Sequence, residues 1–265
     1  MEKTSPGYVA ASAVRDKPRR RHSRAGGLAG LIWPQRSLIT GREVAGPGAL
    51  EPELWAKLQF LSDPLCQRCG TPFDIAVDDA QVCGACLANS PVYDRARAAL
   101  VYGDVSRDLV LGLKYQGRRD SLALLGGWMT NAGAGLLADA DLIVPVPLHY
   151  LRLVRRGFNQ SVWLAAAISR SSGVDLSVDA LKRIKSTPIQ GGLSADGRRR
   201  NVQGAFRVRK GREARIRDKK ILLIDDVLTT GATAEACSRA LKRAGASCVD
   251  VLTLARVAAP RGIPI

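Results

Sequence analysis

Short apolar runs bounded by Gly, Pro or charge alternate along this chain with longer stretches in which apolar positions recur every three or four residues. RAALVY, Arg97 to Tyr102, reads as a strand, and SRDLVLGLKY, Ser106 to Tyr115, as an amphipathic helix. Ser106 is its expected N-cap, Leu109, Val110 and Leu113 its buried face, and Gly117 its end. A second apolar helix is predicted from Leu122 to Leu137. DLIVPVPLH then gives a buried strand, Leu142 to Val144. Pro145 and Pro147 remove two ladder donors and stop the sheet there. SVWLAAAISR predicts a helix ending near Gly173. Ile221 to Ile224 is too short for a helix and β-rich enough for a buried parallel strand. Ala234 to Ala244 has helical spacing, with Gly245 as its C′ stop. The pattern is that of an α/β fold, a parallel sheet with flanking helices.

The stretch ILLIDDVLTTGAT, Ile221 to Thr233, carries the chemistry. Asp225 and Asp226 are expected where the strand ends, followed by a loop of Thr229, Thr230, Gly231, Ala232 and Thr233, and then a helix start. In open parallel sheets ligands bind beyond the carboxyl ends of the strands. A helix N-terminus approached through glycine and hydroxyl side chains suits a monophosphate. Adjacent carboxylates would repel that phosphate, so they call for another partner. The vicinal hydroxyls of a ribose can donate to them, and a divalent cation can share the site. A ribose 5-phosphate group satisfies both halves. No Lys follows the glycine as in a Walker loop, and there is no G-x-G-x-x-G.

A second motif is C-x2-C-x13-C-x2-C, formed by Cys66, Cys69, Cys83 and Cys86. Two such knuckles match tetrahedral zinc, with Gly70 and Gly84 expected to let backbone N–H groups face sulfur. No histidine lies nearby, so the site reads as structural. Two disulfides or an iron–sulfur cluster are the alternatives; disulfides suit a cytosolic chain poorly. Cys237 and Cys248 read as core thiols.

Charge sharpens this picture. The formal net charge is +16, of which +6 lies in Met1 to Leu50 and +11 in Leu181 to Lys220, leaving about −1 for the rest. Residues 1–50 read as a disordered basic arm, 51–92 as a small zinc-ribbon domain and 93–258 as the α/β domain. No uninterrupted apolar run approaches the ~20 residues a membrane span needs. A cytoplasmic location is expected. The basic segment contains Lys182, Arg183, Lys185, Arg198, Arg199 and Arg200. These cations suit either a pyrophosphate or a nucleic-acid backbone. Few aromatics interleave with them, Phe206 being the nearest, which argues against a base-stacking platform in that segment. Arg152, Arg155, Arg156, Asn159 and Gln160 form a further cluster of phosphate-type donors.

ILLIDDVLTTGAT resembles the phosphoribosyl pyrophosphate (PRPP) signature of type I phosphoribosyltransferases. PVPLHYLRLVRRGFNQ, the segment LKRIKSTPIQGGLSADGRRRNVQGAF and the four-cysteine ribbon together resemble the ComF family of competence-associated, phosphoribosyltransferase-like proteins, over about residues 60 to 257. The resemblance implies a type I phosphoribosyltransferase-like sheet plus an N-terminal four-cysteine zinc ribbon. It also implies ribose contacts for Asp225 and Asp226, a 5′-phosphate loop from Thr229 to Thr233, and pyrophosphate-loop backbone at Val146, Pro147 and Leu148. His149 and Arg152 fall beside that loop as catalytic candidates, His149 as a general acid or base. The resemblance further implies that the basic segment is a mobile lid, as in related transferases. Three functions follow as expectations. One is Mg-dependent PRPP binding linked to uptake of single-stranded DNA with competence machinery proteins. Another is phosphoribosyl transfer to an unidentified amine or base. The third is PRPP sensing without turnover.

Overall fold

Four parallel strands form the central sheet in the order β1 (Ala96–Val101), β6 (Cys248–Arg256), β5 (Lys220–Leu228) and β2 (Leu142–Pro145). The structure, a computed structural model, describes residues 36–37, 39–44, 49–73, 81–116, 119, 121–185 and 195–258. The rest of the expected N-terminal arm lies outside the described residues. Within that span, residues 39–44 turn back so that Arg36 pairs with Glu43, and Ser37 and Thr40 donate to the Glu51 carboxylate.

Strand side chains alternate between faces, so one run of apolar residues serves two cores. Leu222, Ile224, Leu252 and Leu254 face a cluster closed by α1 (Asp104–Leu111), α2 (Leu122–Ala132), α3 (Ala134–Asp139) and α5 (Gln160–Ser172). Ile221, Leu223, Val249 and Val251 face a second cluster, closed by α7 (Ala232–Arg243). Each such side chain contributes about 1.5–3 kcal/mol on burial. Over the second cluster sits a small hood, made of the antiparallel pair β3 (Leu181–Arg183) and β4 (Phe206–Val208) with α6 (Ala195–Val202). Val202, Ala205 and Phe206 anchor it beside Cys237 and Leu241 of α7. Residues 186–194, including Thr187, Gln190, Gly191 and Gly192 of the expected lid, lie outside the described residues.

The prolines of β2 shape the ligand edge. Pro145 is the last strand residue, opposite Ile224, and Val146 N–H still donates to Ile224 at 2.9 Å before the chain leaves. β5 does not stop at the acidic pair as the sequence suggests. It runs on to Leu228 because β6 continues to pair with it, Asp225 opposite Thr253 and Leu228 opposite Arg256. The cleft therefore opens along one side of a strand that is still held on the other.

Three smaller expectations change. Ser106 is the third helical residue of α1, not its N-cap; its hydroxyl accepts from Gly103 N–H at 2.7 Å and donates to Val101 at 2.9 Å. The helix expected from Leu122 to Leu137 is two helices broken at Gly133, where a Cβ would lie 2.6 Å from Leu252. Cys237 is fully buried, but Cys248 is only partly so, at the start of β6.

The four-cysteine ribbon is docked on β1. Gly70 has φ +69°, and a Cβ there would lie 2.5 Å from the Ala96 carbonyl oxygen, so only glycine fits. Gly84 has open space and no positive φ, so it carries no such requirement. Ala96 N–H donates to Arg68 at 2.6 Å. Buried Arg256, last residue of β6, donates to the Cys69 carbonyl and to Thr71 Oγ1 at 2.6 Å. The ribbon and the sheet are thus joined by backbone as well as by side chains.

Candidate functional site

Where β2 releases β5, a cavity of about 670 Å³ opens at the carboxyl edge of the sheet. Val146, Pro147 and Leu148 form one side, and Thr229, Gly231, Ala232 and Thr233 form another. Asp225, Asp226, Arg152 and Arg183 line it as well. The tertiary structure therefore brings together most of the residues singled out in the sequence. Gly231 adopts φ +77° at the N-cap of α7, turning the chain so that the first helical N–H groups, which have no partner inside the helix, face the cavity edge. Thr230 does not line the cavity; its hydroxyl is buried with no hydrogen-bond partner among the described residues.

His149 is not among the lining residues. It is the N-cap of α4 (Tyr150–Arg156), its Nδ1 accepting from Leu151 N–H at 3.3 Å. It also bridges to Arg183, which fastens the hood to the loop after β2. Of the described lid cations, Arg183 reaches the cavity, with its guanidinium 5.3 Å from the Phe206 ring centroid. Burial, and then the Arg152 charge, pull its pKa down. Lys182, Lys185 and Arg200 do not line the cavity, and Lys185 instead donates to the Gln203 carbonyl at 3.0 Å. The side chains of Arg198 and Arg199 lie outside the described residues.

The acidic pair is held by residues that sequence reasoning did not assign to it. After α1 the chain widens into a π-helical turn, Gly112–Gln116, which carries Lys114 to 3.1 Å from Asp226 Oδ2. Burial works against the Lys114 charge, but Asp226 outweighs it and raises the pKa. Gln160 donates to the same carboxylate oxygen at 2.7 Å, and Ser161 to Asp225 Oδ1 at 3.0 Å. Both are buried in the first turn of α5, whose N-cap Asn159 also donates to the Val146 carbonyl at 3.0 Å. Gln160, expected as a phosphate donor, is a positioning residue for Asp226, and Arg156 holds its other end at 2.8 Å. Burial, then the Asp226 charge, push Asp225 up to about 7.

The cavity lining contains five cations, Lys114, Arg152, Arg155, Arg156 and Arg183, against two carboxylates. That excess favours a polyanionic ligand. A further wall is aromatic, with Tyr102, Tyr115 and Phe158. None of these rings belongs to the basic segment; the fold delivers them from three separate points along the chain.

In the ribbon, the four Sγ atoms lie within 4.8 Å of one another, with Cys69 and Cys83 3.7 Å apart. Tetrahedral Zn–S bonds of about 2.3 Å require sulfurs about 3.8 Å apart, so the cluster fits zinc. All four cysteines are free of disulfides, and Cys83 N–H donates to Cys66 Sγ at 3.3 Å. With four thiolates and no other ligand-type side chain in the cluster, the metal is structural.

Sheet, phosphate-type loop and thiolate cluster define a phosphoribosyltransferase-like domain with an N-terminal zinc ribbon. The family model for the phosphoribosyl transferase domain matches residues 131–263, and that for the double zinc ribbon domain matches residues 28–87. The second span contains four cysteines, enough for one tetrahedral site. The chain is 32% identical to competence protein F of Haemophilus influenzae over 211 residues, covering 75% of this chain and 87% of the relative. It is 34% identical to the DNA utilization protein YhgH of Escherichia coli over 198 residues, covering 72% and 84% respectively. Orotate phosphoribosyltransferase from Aeropyrum pernix is 16% identical with a TM-score of 0.32, over 60% of this chain and 80% of that one. The protein belongs to the ComF/YhgH family. The transferase domain implies a PRPP-like ligand. Among the described residues no helix is long and apolar enough to cross a membrane.

Proposed function

We propose that the protein binds PRPP with Mg²⁺ in the cavity at the carboxyl edge of β5 and uses that site in handling single-stranded DNA during uptake, in the cytoplasm and alongside competence machinery proteins. The observation that carries the reading is one cavity holding a carboxylate pair, a helix N-terminus behind a Thr/Gly loop and five cations. The names of the relatives, competence protein F and DNA utilization protein, supply the link to DNA. The ribbon over residues 51–92 is the structural zinc domain, and residues 93–258 are the ligand-binding domain.

The roles are those the family resemblance implies, and the placement of the residues around the cavity supports them. Asp225 and Asp226 accept from the ribose 2′- and 3′-hydroxyls, oriented by Ser161, Gln160 and Lys114. The Thr229–Thr233 loop and the first turn of α7 donate to the 5′-phosphate. The Val146–Leu148 backbone meets the pyrophosphate, with Arg152 and Arg183 above it. The lid segment that contains Lys182, Lys185, Arg198, Arg199 and Arg200 supplies positive charge of the kind a pyrophosphate or a DNA backbone takes. His149, the N-cap of α4, and Arg152 in the first turn of that helix are the catalytic candidates beside the 146–148 loop. Asp225 Oδ2 has no partner among the described residues and is a hard oxygen donor of the kind Mg²⁺ takes together with substrate oxygens. When bound, the metal supplies charge neutralisation at the pyrophosphate.

Phosphoribosyl transfer is a second reading. It is favoured by the aromatic wall, which ribose and phosphates do not use. Calorimetric titration of zinc-loaded protein with PRPP and Mg²⁺, repeated with a single-stranded oligonucleotide present, tests the proposal. Saturable PRPP heat that the oligonucleotide diminishes supports a site shared between PRPP and DNA. Absence of PRPP heat at any salt concentration removes the main reading.

A further inference from the structure

The aromatic wall is built in layers. Phe158 stacks on Trp163 with centroids 4.2 Å apart and planes 14° from parallel. The Arg119 guanidinium lies 4.6 Å from the Trp163 ring centroid. Phe158 lines the cavity and Trp163 does not, so Phe158 is the layer that a ligand meets. Tyr115, 70% exposed, lines the same cavity, with the Arg156 guanidinium 5.4 Å from its ring centroid. The platform is also fixed in place. Phe158 sits in the three-residue link between α4 and α5, with Gly157, at φ +78°, before it and Asn159, the N-cap of α5 that donates to Val146, after it. Two residues further on, Gln160 donates to Asp226. One short segment thus carries both an aromatic face and the support of the sugar-binding acids.

We infer that Phe158, backed by Trp163 in a cavity that Tyr115 and Arg156 also line, is a stacking subsite for a planar nucleobase. A π face accepts any base, while Arg156 and the neighbouring Arg155 favour rings that carry exocyclic oxygen. Such a base has two sources: a free nucleobase acceptor, or one base of a single strand whose backbone follows the cationic rim. The inference rests on the reading of this cavity as a phosphoribosyl site, which sets the base beside the sugar.

The test uses the full-length, zinc-loaded protein. Binding of a short oligothymidylate is compared with that of an abasic oligomer of equal length at one salt concentration, for the wild type, Phe158→Leu and Phe158→Tyr. In a parallel arm, free uracil and adenine are titrated with and without PRPP and Mg²⁺. If the strand is the source, the wild type prefers the oligothymidylate, Phe158→Leu weakens it roughly 5- to 150-fold toward the abasic level, and Phe158→Tyr retains the preference. If a free base is the source, uracil binding is saturable and is lost in Phe158→Leu but kept in Phe158→Tyr. No preference for bases in either arm, or equal affinities for the wild type and Phe158→Leu, overturns the inference. PRPP heat alongside such a result would leave the sugar-phosphate reading intact. Base binding without PRPP heat would do the reverse.

Discussion

Asp225→Asn separates stability from ligand binding at one atom. The substitution keeps an acceptor oxygen for Ser161 and for the Asp226 N–H, so its local geometry is conserved. It removes a charge that the fold disfavours, because burial and the Asp226 carboxylate raise Asp225 from its ordinary 3.8 to about 7. The folded state therefore holds that proton more tightly than the unfolded chain does. As pH rises from about 4 to about 7 the wild type loses stability relative to a neutral side chain; above 7 the loss is complete. Linkage gives a deficit of about 2 kcal/mol at pH 5, about 3 at pH 6 and about 4 from pH 7 upward. Urea unfolding of both proteins at these pH values, with zinc present throughout, should show Asp225→Asn more stable by an amount that grows with pH and then levels off. Calorimetry on the same samples should show its Mg²⁺–PRPP binding lost. A stability difference that is flat with pH, or a variant less stable than the wild type at pH 8, would refute the account of a strained acidic pair.

Lys114→Met leaves Asp226 buried without its cation and is expected to cost about 3–5 kcal/mol in urea unfolding. Adding Asp226→Asn should restore most of that, and a double variant as unstable as the single one would show that Lys114 acts through packing alone. Gly70→Ala forces a side chain into the left-handed region and against the Ala96 carbonyl; a melting temperature lowered by less than 2 °C would contradict the docking described for the ribbon. Metal analysis should find one zinc per chain, and Cys69→Ser should abolish it while lowering thermal stability. Retention of a full equivalent of zinc in that variant would exclude the assignment of the metal to the four cysteines.

The sequence by itself determined what depends on neighbours along the chain. Apolar runs at Leu142–Val144 and Ile221–Ile224 marked buried parallel strands, because both faces of such a sheet are covered. Pro145 and Pro147 marked where β2 lets go, since proline has no donor for the ladder. Cys66, Cys69, Cys83 and Cys86 marked a closed metal site through their spacing, and the DDVLTTGAT stretch marked a strand, a loop and a helix start. Only the tertiary structure decided what meets across the chain. Lys114 reaches Asp226 from a π turn more than a hundred residues away, and a lysine in KYQGRRD carries no local sign of that partner. Gln160 reads as a phosphate-type donor and Ser161 as an ordinary first-turn residue until α5 packs against β5 and points them at the acids. Tyr102, Tyr115 and Phe158 share no motif, yet one cavity collects them. How far β5 runs was likewise set by its neighbour: β6 continues to offer backbone partners past the acidic pair, and a strand persists for as long as it is paired.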